Sequence, residues 1–184
     1  MKKTRVALAL LVAGMATGSL VAPWTKPVVA DDDDNQKITL RDDCDPTDPG
    51  WAPTGGCALE RGDVNFAEFN GELSSPLSLS VIGHQAWRFD PSYRKVEADE
   101  ALRVRNAGGR THTFTEVQNF GGGRVPPLNK GLIMAPECAT ATNIPAGTGM
   151  QVSGLSVGNH RFQCCIHPWM RAIVKVKAEV EEDH

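Results

Sequence analysis

Cys164, His167 and Met170 recur at three-residue intervals in the run Cys164-Cys165-Ile166-His167-Pro168-Trp169-Met170. They offer a thiolate, an imidazole and a thioether within a segment short enough to fold all three around one point. A second imidazole, His112, stands well upstream in the alternating stretch from Thr111 to Val117. Two nitrogens, one thiolate and one weak thioether make a soft, low-coordinate donor set. A trigonal pair of histidines and a cysteine, with a long axial Met, suits a copper ion that changes charge by one electron. The physical reason is reorganisation. Cu(I) accepts soft ligands at low coordination, whereas Cu(II) prefers a tetragonal nitrogen and oxygen set. A rigid intermediate geometry lets the charge change with little ligand movement. The expected metal ligands are therefore His112, Cys164, His167 and Met170, around one copper ion. Each also has a plainer reading: a buried thiol, a turn histidine, a core-filling Met and a structural strand histidine. It is their combination that points to a metal.

Such a set needs a stiff frame, and the rest of the chain predicts one. Leu102 and Val104 alternate with Arg103 and Arg105, and His112 and Phe114 alternate with Thr113 and Thr115. In the last segment Ala172, Val174, Val176, Ala178 and Val180 face one way and Lys175, Lys177 and Glu179 the other. Half-buried strands have this period of two. Further strands are expected at Leu77–Ile82, Trp87–Phe89, Tyr93–Glu97, Gly149–Ser153 and His160–Cys164. Turn residues punctuate them at Asp90-Pro91, Ala107-Gly108-Gly109, Gly121-Gly122-Gly123, Pro126-Pro127, Pro145-Ala146-Gly147 and Gly158-Asn159. The pattern predicts an all-β fold, a Greek-key β-sandwich. Residues 121–137 read as a long surface loop, and residues 63–75 as either a strand or a short helix.

The chain of 184 residues opens with a basic head, Lys2, Lys3 and Arg5, then an apolar run and Val28-Val29-Ala30 before Asp31. This reads as a secretory signal peptide over residues 1–30, because the apolar run is too short and too rich in small polar residues for a membrane span. A periplasmic or secreted location is expected, with the membrane involved only through export. Cleavage would remove Lys2, Lys3, Arg5 and Lys26, four positive charges and no acid, taking the formal charge from -3 to -7. That balance disfavours nucleic acid as a partner and mildly steers basic ones. Asp31 to Asp34 read as a solvated tail. The expected organisation is an N-terminal extension over 31–75 followed by a copper domain over 76–180.

Five cysteines, an odd number, leave at least one thiol outside internal disulfides in an exported protein. Cys44 and Cys57 bracket a loop rich in Pro and Gly with little apolar content of its own. A disulfide closing it is expected, since the segment cannot offset its own ordering entropy. Cys164 and Cys165 are adjacent, so a mutual disulfide would be strained. Neighbours on a strand point to opposite faces, so the two thiols should differ in role. Cys165 either pairs with Cys138 or stays free.

Two motifs in order carry a resemblance. The segment Trp87 to Asn106 contains Phe89-Asp90-Pro91 and a strand leading to Asn106. Gly109-Arg110-Thr111-His112 follows it, and the Cys-x-x-His-x-x-Met loop closes the set. In these features residues 76–180 resemble the cupredoxin (type 1 blue copper) family, with amicyanin-like loop spacing. The resemblance implies a cupredoxin-like sandwich and one-electron transfer to a redox partner protein, with no enzymatic activity. Relatives often carry Asn after the first ligand histidine and Ser or Thr after the ligand cysteine, tying two loops by hydrogen bonds. Here Thr113 and Cys165 stand in those places.

A catalytic copper enzyme would need further histidines, commonly in His-x-His pairs. The chain has five histidines and no such pair. A dinuclear copper centre would need two bridging cysteines that are not adjacent. A copper storage or delivery module is the alternative function. His160 reads as structural, and His84 and His184 carry no pattern. Electrons are expected to leave by an exposed edge of His167. Pro168 and Trp169 read either as an apolar rim where a partner docks or as packing against the end of the sandwich.

Overall fold

A computed structural model describes residues 36–74 and 87–178. The signal peptide, the Asp31–Asp34 tail, the strand expected at Leu77–Ile82, His84, His184 and the 75/76 boundary all lie outside the described residues. Among the described residues there are eight strands: β1 (Lys37–Asp42), β2 (Trp87–Asp90), β3 (Tyr93–Glu97), β4 (Leu102–Asn106), β5 (Thr115–Val117), β6 (Gly149–Val152), β7 (Gly158–Gln163) and β8 (Arg171–Lys177), with alternating burial clearest in β1 and β4. They make two four-stranded sheets, in the orders β2-β1-β4-β6 and β3-β8-β7-β5. From β2 to β7 each successive strand changes sheet, and β7 and β8 pair antiparallel. The β1–β4 and β3–β8 pairs are parallel. Among the described residues, no helix is long and apolar enough to cross a membrane.

The two sheets close a single large core. Ile38, Leu40, Phe89, Leu102 and Val104 from one meet Val96, Phe162, Ala172, Val174 and Val176 from the other. Phe114, on the crossing between β4 and β5, stacks on Phe162 with ring centres 4.2 Å apart and leans on Phe89 at 5.0 Å. The period of two in the last segment holds in β8, where Ala172, Val174 and Val176 are buried and Lys175 and Lys177 exposed. A smaller second cluster joins Val117, Phe120, Ala135, Cys138 and Cys165. This cluster joins Val117 of β5 to Cys165, just beyond the end of β7, with Ile173 of β8 packed against it.

Three expectations need correction. Within the extension expected over 31–75, residues 37–42 are a strand of the sandwich itself, since β1 lies between β2 and β4 and Ile38 and Leu40 are fully buried. The cause is readable: Lys37-Ile38-Thr39-Leu40-Arg41 alternates like the other strands. The strand expected from Thr111 to Val117 is regular only over β5. Its first half is the crossing from one sheet to the other, where His112 meets Ile144 alone in an isolated bridge. Residues 121–137 are only partly a surface loop. Gly121, Gly122 and Gly123 are buried, and Asn129 pins them by accepting from Gly123 N–H (2.7 Å) and donating to Gly123 C=O (2.9 Å). The tip at Ile133 stays 88% exposed.

The open question over residues 63–75 resolves as helix α1 (Phe66–Ser74), whose first turn is capped by Asn65 Oδ1 accepting from Glu68 N–H (2.8 Å). The Cys44–Cys57 disulfide forms as expected. It closes a loop that carries Trp51, whose buried indole N–H donates to Val64 C=O (3.1 Å). Trp51 packs 4.9 Å from Phe69 and 5.2 Å from Phe66, so aromatic contacts join the loop to α1.

Candidate metal centre

The ligand loop leaves β7 and returns into β8, and it closes on itself. Cys164 N–H donates to Met170 C=O (2.9 Å) and Met170 N–H to His167 C=O (2.9 Å). These bonds draw Cys164, His167 and Met170 into one tight turn at the end of the sandwich. His112 reaches the same point from the β4–β5 crossing, which Asn106 holds. The Asn106 amide donates to Arg110 C=O (2.8 Å) and Ile144 C=O (2.9 Å), and its oxygen accepts Gly108 N–H (2.9 Å).

The potential donor atoms of His112, Cys164 and His167 all lie within 4.8 Å of one another. The two Nδ1 atoms are 3.1 Å apart, and Cys164 Sγ is 3.9 Å from that of His112 and 3.7 Å from that of His167. Met170, 0% exposed, packs in the same core as Cys164. Cys164 Sγ also accepts backbone N–H groups from Thr113 and His167, each at 3.4 Å.

The charges are arranged for a thiolate. Burial alone would raise the Cys164 pKa, but hydrogen bonds and charge from His112 and His167 outweigh it and hold the thiol well below its ordinary value. Burial alone would lower that of His112, yet Asp42 and Cys164 push it up to about 9. Asp42 was not foreseen as part of the site. Its carboxylate accepts Gly109 N–H (2.7 Å) and Arg110 N–H (2.8 Å), and Oδ2 lies 3.7 Å from His112 Nε2. A Cβ on Gly108 would come within 2.2 Å of Asp42 Oδ1, so the turn needs glycine there. The available signal was Asp42's place at the end of an overlooked strand.

The departures from the family pattern find a physical answer. Thr113 is fully buried, and its Oγ1 accepts the Cys165 N–H at 2.7 Å, so the two ligand-bearing loops are tied after all. Cys165 is disulfide-bonded to Cys138, and Cys164 is the free cysteine. The opposite-face reading holds, because Cys164 belongs to the large core and Cys165 to the small one. His160 is structural, bonded to Glu116 Oε1 (2.6 Å) and Ser156 C=O (2.7 Å).

The exposed edge expected at His167 is not there. His167 is 7% exposed and Trp169 2%, and Pro168 is buried too, so packing rather than a rim describes this turn. Trp87 covers the imidazoles, its ring centre 4.6 Å from that of His167 and 6.2 Å from that of His112. Trp51, Phe66, Phe69, Trp87 and Trp169 continue outward from His167 as the walls of an apolar groove of about 400 Å³.

The donor set fits a metal ion. Bonds of about 2.0–2.1 Å to imidazole nitrogen and about 2.3 Å to thiolate, spread at about 120°, require edges of about 3.6 Å between nitrogens and about 3.8 Å from nitrogen to sulfur. The observed triangle matches on its two sulfur edges and is narrower between the nitrogens. With the thiol pKa lowered, Cys164 gives up its proton readily, whereas an incoming cation would have to displace the one that the raised pKa keeps on His112.

No family model matches the chain, and no curated protein matches it. Among solved structures the sandwich is similar to a purple cupredoxin from Nitrosopumilus maritimus, at a TM-score of 0.40 and 12% identity, covering 77% of this chain and 98% of that one. It is also similar to a fern plastocyanin mutant, at 0.35 and 19%, covering 50% and 89%. A third likeness is to amicyanin from Paracoccus versutus, at 0.35 and 17%, covering 56% and 85%. At such scores the chemistry of the site has to be read from its own atoms. Those atoms define a β-sandwich with a buried His-Cys-His cluster at one end.

Proposed function

We propose that the chain is a type 1 copper protein of the cupredoxin kind, carrying one electron at a time to and from a redox partner protein. His112, Cys164, His167 and Met170 would hold the ion. The observation that carries this reading is the buried triangle of two Nδ1 atoms and one Sγ, in which both histidines act to lower the thiol pKa. When bound, copper supplies a one-electron couple between its +1 and +2 states. The protein's part is to keep the donor atoms in place across that change. Asp42 and Asn106 hold the His112 turn, Thr113 and His167 donate N–H groups to the sulfur, and the closed Cys164–Met170 turn fixes the other ligands. N–H donation to a ligand sulfur withdraws electron density from it and tunes the potential. Burial of all four side chains favours retention of the ion over hand-off to another protein.

Two disulfides beside a basic, apolar N-terminal segment support an exported protein in an oxidising compartment, periplasmic or secreted. The test is to add Cu(II) to the purified protein, record its visible spectrum and measure its potential. An intense thiolate-to-copper band and a reversible one-electron wave are expected. Cys164→Ser should abolish the band, and its survival in that variant would show the ligand assignment to be wrong.

A further inference from the structure

We propose that the Cys138–Cys165 disulfide positions the ligand thiolate, aiming Cys164 at the two histidines before any metal binds. This rests on the copper-ligand reading, and it assigns a role to a cystine that touches no ligand atom. Cys164 and Cys165 leave the end of β7 on opposite faces, one into the large core and the other into the small one. Turning the Cys164 side chain out of the triangle by rotating the backbone would therefore pull Cys165 from its own core.

Cys165 is anchored on every side. Its N–H donates to Thr113 Oγ1 (2.7 Å), its C=O accepts Arg124 N–H (2.7 Å), and its sulfur is bonded to Cys138. Cys138 is itself fully buried, in a 3-10 turn over Pro136–Thr140 that packs beside β5. A Cβ on Gly123 would stand 2.3 Å from Cys165 C=O, so the 121–123 strip presses directly on this backbone. Two N–H groups also donate to Cys164 Sγ at 3.4 Å, an ordinary length for a sulfur acceptor, and the bond to Cys138 adds a covalent restraint on the neighbouring residue. The covalent link thus makes the neighbouring residue a fixed pivot. A fixed thiolate is what a site of low reorganisation requires.

The experiment compares the wild-type protein with a Cys138→Ala/Cys165→Ser double variant. In the metal-free proteins, amide hydrogen exchange should lose protection across residues 164–170 and at Thr113, while β1 and β4 keep theirs. With Co(II) as the probe, the thiolate-to-cobalt band should weaken and shift in the variant. Unchanged exchange in the ligand loop together with an unchanged cobalt band would overturn the proposal. So would an even loss of protection across all strands, which marks general stabilisation only. A wild-type protein with no thiolate-to-metal band would sink the copper reading, while the exchange data would still judge the clamp. Should the double variant fail to fold, the same two readings are taken on wild-type protein opened with a phosphine reductant. Mass spectrometry then confirms that Cys138 and Cys165 are free thiols, and native-like readings in that state reject the role.

Discussion

Asp42 shows how one side chain outside the ligand set can govern it. Two backbone N–H groups in the turn before His112 have this carboxylate as their acceptor, and the imidazole Nε2 sits 3.7 Å beyond. Asp42→Ala would leave both N–H groups without their partner in a partly buried turn, at a cost of about 1–3 kcal/mol for each group that water does not reach. Urea denaturation of the metal-free protein would measure the loss. Copper affinity should fall with it, because this turn leads directly into His112 and the Asp42 carboxylate faces the imidazole. An Asp42→Ala protein as stable as the wild type would show that the turn holds by other means. Thr113 makes a related point, since a buried hydroxyl in the place of a more usual amide still ties the Cys165 N–H.

At the scale of elements, β5 and β7 are joined by an ion pair as well as by their ladder. His160 Nδ1 lies 2.6 Å from Glu116 Oε1, and its Nε2 bonds Ser156 C=O. Burial alone would lower the His160 pKa, but Glu116 and Ser156 outweigh it and raise it above the ordinary value. A raised histidine stabilises the fold fully below its unfolded pKa of about 6.5, and that contribution disappears as pH climbs through the raised folded value. Thermal melts taken across that window should show wild-type stability falling towards high pH relative to Glu116→Gln. Proton resonances of His160 should titrate at lower pH in the variant. Identical titration in both proteins would remove Glu116 as the cause.

Across the whole molecule, residues 37–74 share a sheet and a core with the rest of the sandwich. β1 contributes Ile38 and Leu40 to the core and pairs with β2 on one side and β4 on the other. Cys44, Trp51, Val64 and Phe69 belong to the same core, as does Trp169 from the ligand loop. A chain beginning at residue 76 would leave β2 and β4 with unpaired edges and remove Asp42 from the site. Such a fragment is expected to show no cooperative unfolding transition by circular dichroism, whereas the full chain melts as a unit. A fragment that folded and bound Cu(II) with the wild-type band would show that β1 is dispensable.

The amino-acid sequence by itself determined the parts whose partners are near in the chain or whose pattern repeats. The Cys-x-x-His-x-x-Met turn, most of the strands from Trp87 to Lys177 and the Cys44–Cys57 loop were legible because short spacing and alternation express local geometry. β1 was legible in the same way and was overlooked, its period of two hidden beside a loop-rich stretch. What the tertiary structure alone decided depends on contacts between segments far apart in sequence. The Cys138–Cys165 pairing, the reach of Asp42 to the His112 turn and the burial of His167 beneath Trp87 are of this kind. Periodicity tells which face of a strand is buried, but not which distant segment buries it, since that follows from how two sheets and their crossings pack together.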